Sequence, residues 1–312
     1  MENSCLAQQQ KNEDNEEKFI IVGTKEQAEH DWMEKLHTNV SDTVFQSALW
    51  FDSFFTEDDT QQQDPLATAR IRLAWEPKAG DWNEYKAKFR LRVKLPHFKD
   101  KLDLILSDDD SDNINRIPLE TVGTTPNIND EHIAAAVRFV HTRTNTKIID
   151  QRIGISSGDI FYRARYQQHF VVNKNHAFKV EPAIYYYLDD GLGARFLAEY
   201  EYQLNLQEQL RVNYSIRGSE SFSGIRWKHA FYHLKQFSLA DAGAIGLVVE
   251  GERNGSRGFV IDKYTLSYRY RFNAVKSWLF FDVEPFLEWP ENQDYKTVPG
   301  IAFRVEGYFT KD

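Results

Sequence analysis

The chain has 312 residues, with 38 Lys and Arg against 47 Asp and Glu and a formal net charge of −9. That balance argues against general nucleic-acid binding. The single cysteine excludes an internal disulfide framework and a cysteine-built zinc cluster, and no run of about 18 apolar residues exists to form a transmembrane helix.

At the N-terminus, Cys5-Leu6-Ala7 has small residues at both ends, like the end of a signal-peptidase site, and polar Gln8-Gln9-Gln10 follows. Residues 1–7 read as the stub of a longer signal, and 8–17, rich in Gln, Asn and Glu, as disordered. Residues 1–24 are therefore taken together as a disordered terminus or signal remnant. Thr24 and Gln27 fit a helix capping box, and Ala28, Trp32, Leu36 and Val40 then recur on one helical face. A second apolar group runs from Val44 through Trp50, Phe51, Phe54 and Phe55. Residues 25–66 are thus expected to be an amphipathic helical extension plus a polar linker, placed in the lumen, over the rim or on the membrane surface.

From Ala67 onward the period changes from helical to two. In 87–95, Ala87, Phe89, Leu91, Val93 and Leu95 alternate with Lys88, Arg90, Arg92 and Lys94. Four charges on one face of a single strand are hard to bury in a soluble sandwich. The same alternation recurs in 192–204, 209–217, 264–272 and 301–309, and it predicts apolar residues toward lipid with charges toward a lumen. The expected strands are 67–76, 85–95, 101–107, 134–143, 146–155, 159–168, 176–188, 191–204, 208–217, 221–234, 238–250, 258–272, 277–289 and 298–309. The fold class is therefore all-β: a transmembrane antiparallel up-and-down barrel over 67–312, of about 14 strands, or 12 if 101–107 and 134–143 are not strands. Counting from Ala67 with both termini in the periplasm puts the longest connection, 108–133, outside, where length is tolerated.

The candidate site is the set of lumen-lining charges. Early strands supply Arg70, Arg72, Lys88, Arg90, Arg92 and Lys94. Middle strands supply Arg195, Glu199, Glu201, Arg211, Arg269 and Arg271. The last two supply Asp282, Glu284, Glu288, Arg304 and Glu306. Such a wall selects ions or solutes in an open pore, or fills a narrow closed lumen as a salt-bridge network. Asp108, Asp110 and Asp112 are an oxygen-rich candidate for Ca²⁺, but the run lacks the glycine and the closing glutamate of an EF-hand loop. His229 and His233 share a strand face about 13 Å apart, too far to hold one metal. No Ser and His spacing singles out a catalytic triad, so no catalytic residue, metal ligand or cofactor is assigned. Trp75, Trp227, Trp278 and Trp289, with Tyr185, Tyr186 and Tyr187, fall near strand ends, as interfacial girdles do.

The segment Trp278-Leu279-Phe280-Phe281-Asp282-Val283-Glu284-Pro285, then Leu287-Glu288-Trp289-Pro290 and the alternating terminal strand, resembles an uncharacterised family of proteobacterial outer-membrane proteins. Trp50 to Phe55 and Phe89 to Leu106 are similar to it as well. The resemblance implies a barrel in the outer membrane of a Gram-negative cell, lipid as its surroundings and the barrel-assembly machinery as its partner during biogenesis. It supplies no activity. The tail Thr310-Lys311-Asp312 departs from the terminal aromatic on which barrel proteins often end. The reading is an integral barrel, channel-like or structural, with a charged lumen. The alternatives are an outer-membrane lipid hydrolase and a soluble β-rich binding protein. Detergent dependence separates the last of these.

Overall fold

The computed structural model describes residues 50–51, 54–55, 67–95, 101–107, 116–122, 134–144, 146–156, 158–273, 276 and 278–311. The strands, in chain order, are Ala67–Trp75 (β1), Tyr85–Lys94 (β2), Leu102–Ser107 (β3), Ala134–Arg143 (β4), Lys147–Ser156 (β5), Asp159–Val171 (β6) and His176–Tyr187 (β7). There follow Gly191–Asn205 (β8), Glu208–Ser219 (β9), Gly224–Gln236 (β10), Asp241–Asn254 (β11), Gly258–Phe272 (β12), Leu279–Pro290 (β13) and Val298–Lys311 (β14). Each pairs antiparallel with its chain neighbour, and β1 pairs with β14, so the sheet closes into a barrel. Closure removes the unpaired edges that lipid would leave without hydrogen bonds. Both segments whose strand character was least marked, β3 and β4, are in the wall and pair with each other.

Alternation sets the two faces. Ile71, Leu73, Leu104, Val137, Ile153, Ile184 and Ile245 are exposed on the outside, while Arg72, Arg138, Arg211, Arg269 and Arg304 are buried. An apolar belt encircling a closed barrel fits lipid rather than water. Aromatic rings mark its two ends. Trp75 stacks on Phe303 and Tyr85 at one end. Phe272 stacks on Phe281, and Trp278 packs on Phe309, at the other. The chain is thus a transmembrane β-barrel in architecture.

Three expectations shift. Of the three consecutive tyrosines only Tyr186 points outward; Tyr185 and Tyr187 are buried with Ile105, Ala136 and Phe161, because the period of two turns alternate rings inward. Strands β10 and β11 start three residues later than the pattern suggested: Phe222 and Gly224 are held in a backbone-bonded turn before β10, and before β11 the amides of Phe237 and Ser238 both donate to the Asp241 carbonyl. Thr310 and Lys311 are not a tail beyond the wall: they continue β14, opposite Thr68 and Ala67. Polar side chains do not end a strand while a partner strand still offers backbone groups.

The β5–β6 connection shows the local chemistry of a tight turn. Residues 157–158 join the two strands, and Gly158 sits at φ +85°, a conformation that needs no side chain. The proposed Ca²⁺ candidates Asp108, Asp110 and Asp112 and most of the expected helical extension lie outside the described residues.

Candidate functional site

Among the described residues the barrel interior is lined by charge, and cations and carboxylates are spread differently over its strands. On β7–β14, carboxylates and cations interleave. Arg269 and Arg271 both bind Asp282, at 3.1 and 3.3 Å. Arg271 also reaches Glu306, at 2.8 Å, and Arg304 bridges Glu284 and Glu76. Lys228 lies between Glu120 and Glu250, and Lys263 between Glu250 and Glu288. Glu306 additionally accepts Arg70 and Arg72 across the closing seam. Among the middle-strand candidates, Arg195 binds Glu181 at 3.0 Å, Arg211 approaches Glu199 at 3.9 Å, and Glu201 faces His169 at 3.7 Å.

On β1–β6 the balance differs. Arg70, Arg72, Lys86, Lys88, Arg90, Arg92 and Lys94 come from the first two strands, and Arg138, Arg143, Arg152, Arg163 and Arg165 from the next. At the rim Asp159 caps the backbone amides of Leu188 and Asp189. Deeper in, the carboxylates of these described strands are Asp103 and Asp150. Asp103 is shared by Arg92 at 3.1 Å, Arg138 at 3.8 Å and Arg143 at 3.9 Å. Asp150 is shared by Arg138 at 3.2 Å, Arg152 at 3.3 Å and Arg165 at 2.8 Å.

Sequence reasoning missed this second cluster. The signal was present, since Arg138, Asp150, Arg152 and Arg163 alternate with Val137, Ile149, Ile153 and Tyr162. It was diluted because the same inner faces of β4 and β5 also bury apolar Ala134, Ala136, Val140 and Ile148.

Two pieces of chain enter the lumen. Residues 116–122, from the long connection between β3 and β4, cross to the far wall. Arg195 on β8 donates to the Arg116 carbonyl at 2.6 Å, and Asn213 on β9 to the Pro118 carbonyl at 3.2 Å. Lys228 on β10 binds Glu120 at 2.7 Å, and the Thr121 hydroxyl donates to Glu284 on β13 at 2.6 Å. These groups satisfy a buried loop whose backbone would otherwise be left without partners. A connection expected to lie outside thus folds inward over its described part.

The second piece is aromatic. Trp50, Phe51, Phe54 and Phe55 have helical backbone, and Phe51, Phe54 and Phe55 are buried. They pack with Ile117 and Leu119 of the inward loop against Leu197, Ala230, Tyr232, Leu234, Ala242, Ala244 and Val248, all on the inner face. Small residues on β10 and β11 make the space for these rings. Arg269 donates to the Phe55 carbonyl at 3.5 Å and stacks over its ring, 5.1 Å from the centroid. Arg271 lies 4.5 Å from the Phe280 centroid and 6.0 Å from that of Phe54. An apolar stopper is therefore built inside a charged tube, from two segments far apart in sequence.

His176 Nδ1 lies 2.6 Å from the Tyr200 hydroxyl, and His169 faces Glu201. Among the described residues no cluster of three or more His, Cys, Asp or Glu could hold a metal.

The strand arrangement is similar to that of solved barrels. OprB of Pseudomonas putida is 10% identical, with 79% of this chain and 94% of that chain covered and a TM-score of 0.50. A loop-deletion form of OmpT, an outer membrane protein of Vibrio cholerae, is 9% identical over 78% of this chain and 98% of that one, with a TM-score of 0.49. The outer membrane channel DcaP of Acinetobacter baumannii is 8% identical over 78% and 95%, with a TM-score of 0.42. No protein-family model matches the chain, and no curated protein matches it. At these identities the likeness is one of fold, and that fold is the porin-like outer-membrane barrel.

Proposed function

We propose that this chain is an outer-membrane channel of a Gram-negative cell, held closed at rest by its own N-terminal aromatic segment and inward loop. The observation that carries the reading is the joint packing of Phe51, Phe54 and Phe55 with Ile117 and Leu119 in the middle of a charge-lined tube. A barrel that served only as a membrane scaffold could fill its lumen with wall side chains alone. Here the filling comes from segments tethered by chain on either side, a construction that permits withdrawal.

The finer parts of the reading belong to the same proposal. Both chain ends of the barrel meet at one rim, since Ala67 pairs with Lys311, and we place that rim in the periplasm. Residues 25–66 then form an amphipathic helical extension that enters from the periplasmic side, and 1–24 a disordered terminus or signal remnant. The lumen-lining set from Arg70 to Glu306 forms the wall along which solute moves. Lipid surrounds the belt, and the barrel-assembly machinery inserts it. The similarity of Trp278 to Pro290 to an outer-membrane protein family supports the same placement.

A second reading, a permanently filled structural barrel, is favoured by the burial of the wall charges, with Arg138, Arg211 and Arg271 at 0% exposure. Proteoliposome flux decides between them. A channel releases an entrapped small ion when the three phenylalanines are cut to alanine. A structural barrel stays tight with or without them. The hydrolase alternative predicts fatty-acid release from phospholipid vesicles, and none is expected.

A further inference from the structure

The two pieces of chain in the lumen are tethered at opposite rims. Ala67 and Lys311 pair at one rim, and residues 56–66 link Phe55 to Ala67. Strands alternate in direction around the closed sheet, so the odd-numbered ones run away from that rim. Ser107 at the end of β3 and Ala134 at the start of β4 therefore belong to the other rim, and the chain that holds 116–122 leaves and rejoins the wall there.

Their wall contacts keep the same order along the barrel. Phe54 packs edge-on to Phe280, with 5.6 Å between ring centroids, and Arg271 lies 6.0 Å from the Phe54 centroid. Phe280 is the second residue of β13 and Arg271 the last but one of β12, so both stand near the Ala67 rim. The loop is held farther along. Arg195 and Lys228 are each the fifth residue of a strand that starts at the other rim, and Asn213 and Glu284 lie near the middles of theirs. The two pieces share one buried cluster, in which Ile117 and Leu119 lie with Phe51, Phe54 and Phe55.

We infer that the loop and the aromatic segment form one coupled latch through the barrel: releasing the loop from one rim loosens the segment tethered at the other, and the reverse. Each covers apolar surface of the cluster that would otherwise face water, so loss of one removes part of the free energy that seats its partner. Coupling of this kind is reciprocal by thermodynamic necessity. The latch therefore carries a signal as well as a block. An event that unseats one piece on its own side of the membrane changes access from the far side.

This role rests on the channel reading, but the coupling is measured by accessibility and not by current. Thiol labelling with a maleimide is timed on the folded protein in detergent, in a Cys5→Ser background that removes the native thiol. Trp50→Cys reports on the aromatic segment and Val122→Cys on the loop. Glu120→Gln/Thr121→Val cuts two wall bonds of the loop and should speed labelling at Trp50→Cys severalfold. Phe51→Ala/Phe54→Ala/Phe55→Ala should do the same at Val122→Cys. Heat-modifiable mobility checks each fold, and the single changes Glu120→Gln and Phe54→Ala replace any combination that fails it. If labelling rises only in the piece that was itself altered, or crosses in one direction alone, the two insertions are independent and the inference is overturned. Planar-bilayer current is read on the same proteins. Conduction with uncoupled labelling overturns the latch and leaves the channel. Coupled labelling with no current from any form overturns the channel and leaves the coupling.

Discussion

Arg72 on β1 faces Glu306 on β14 across the seam that closes the barrel, with 3.1 Å between Nη2 and Oε1. The same carboxylate receives Arg70 from β1 and Arg271 from β12. One acidic side chain thus ties the first, twelfth and last strands together inside the wall. Removing one partner of a buried ion pair leaves the others uncompensated and costs about 3–5 kcal/mol. Glu306→Ala should therefore lower the midpoint of urea unfolding in detergent and shift heat-modifiable gel mobility to a lower temperature. Unchanged unfolding would mean the seam is held by its backbone ladder alone.

Val212 lies on the outward face of β9, between Tyr200 and Phe231, while its neighbour Arg211 is fully buried. An arginine on the lipid face near the midplane costs about 2–4 kcal/mol. Val212→Arg should refold less stably into bilayers by that amount. Equal stability would mean β9 presents its other face to lipid.

The C-terminal strand sets a graded expectation. Removing Thr310 to Asp312 deletes the outermost pairs of the seam, Thr310 with Thr68 and Lys311 with Ala67, and should weaken but not prevent assembly. Removing Gly307 to Asp312 also deletes the pairs to Ile71, Arg70 and Ala69 and the contact of Phe309 with Trp278. That protein should accumulate unassembled and protease-sensitive. Protease protection of membrane fractions reports the difference, and normal assembly of the longer truncation would remove the role given to the seam.

Glu76, just past the end of β1, gives a pH dependence. Burial works to raise its carboxyl, but the adjacent Arg304 and Lys86 outweigh burial and hold it below the ordinary value of 4.5. A folded value below the unfolded one means stability that is complete above the unfolded value and lost as pH falls through the folded one. The stability gap between the wild type and Glu76→Gln should therefore close as the solution is acidified below about 4.5. Urea midpoints at neutral and acidic pH measure it; a gap that stays constant would show that Glu76 acts without its charge.

The fold was legible because a barrel repeats one rule in every strand. Alternation alone marked Arg211, Arg269 and Arg304 as inward and Val212, Tyr268 and Phe303 as outward, and all six lie so. The Arg138, Asp150 and Arg152 cluster was less legible, because its inner faces also carry apolar Ala136, Val140 and Ile148, which blur the apolar-out, charged-in rule. The inward course of 116–122 was not legible at all. Ile117-Pro118-Leu119 reads as an ordinary apolar break in a polar connection. Only the tertiary partners Arg195, Asn213 and Lys228 turn it into a lumen insertion. Trp50 to Phe55 announced an apolar face, but what that face covers depends on Ala230, Ala242 and Ala244, some two hundred residues away. Their small size is visible in sequence, and their shared position in space is not.

The most direct test of a channel closed by its own aromatic segment is single-channel recording of the intact chain beside the Phe51→Ala/Phe54→Ala/Phe55→Ala variant. The rings pack on inner-face residues, so the barrel itself should remain folded, with heat-modifiable mobility as the check. The account predicts brief, small openings for the intact chain and long openings of severalfold larger conductance for the variant. Identical traces from two folded proteins, whether both open or both silent, would contradict it.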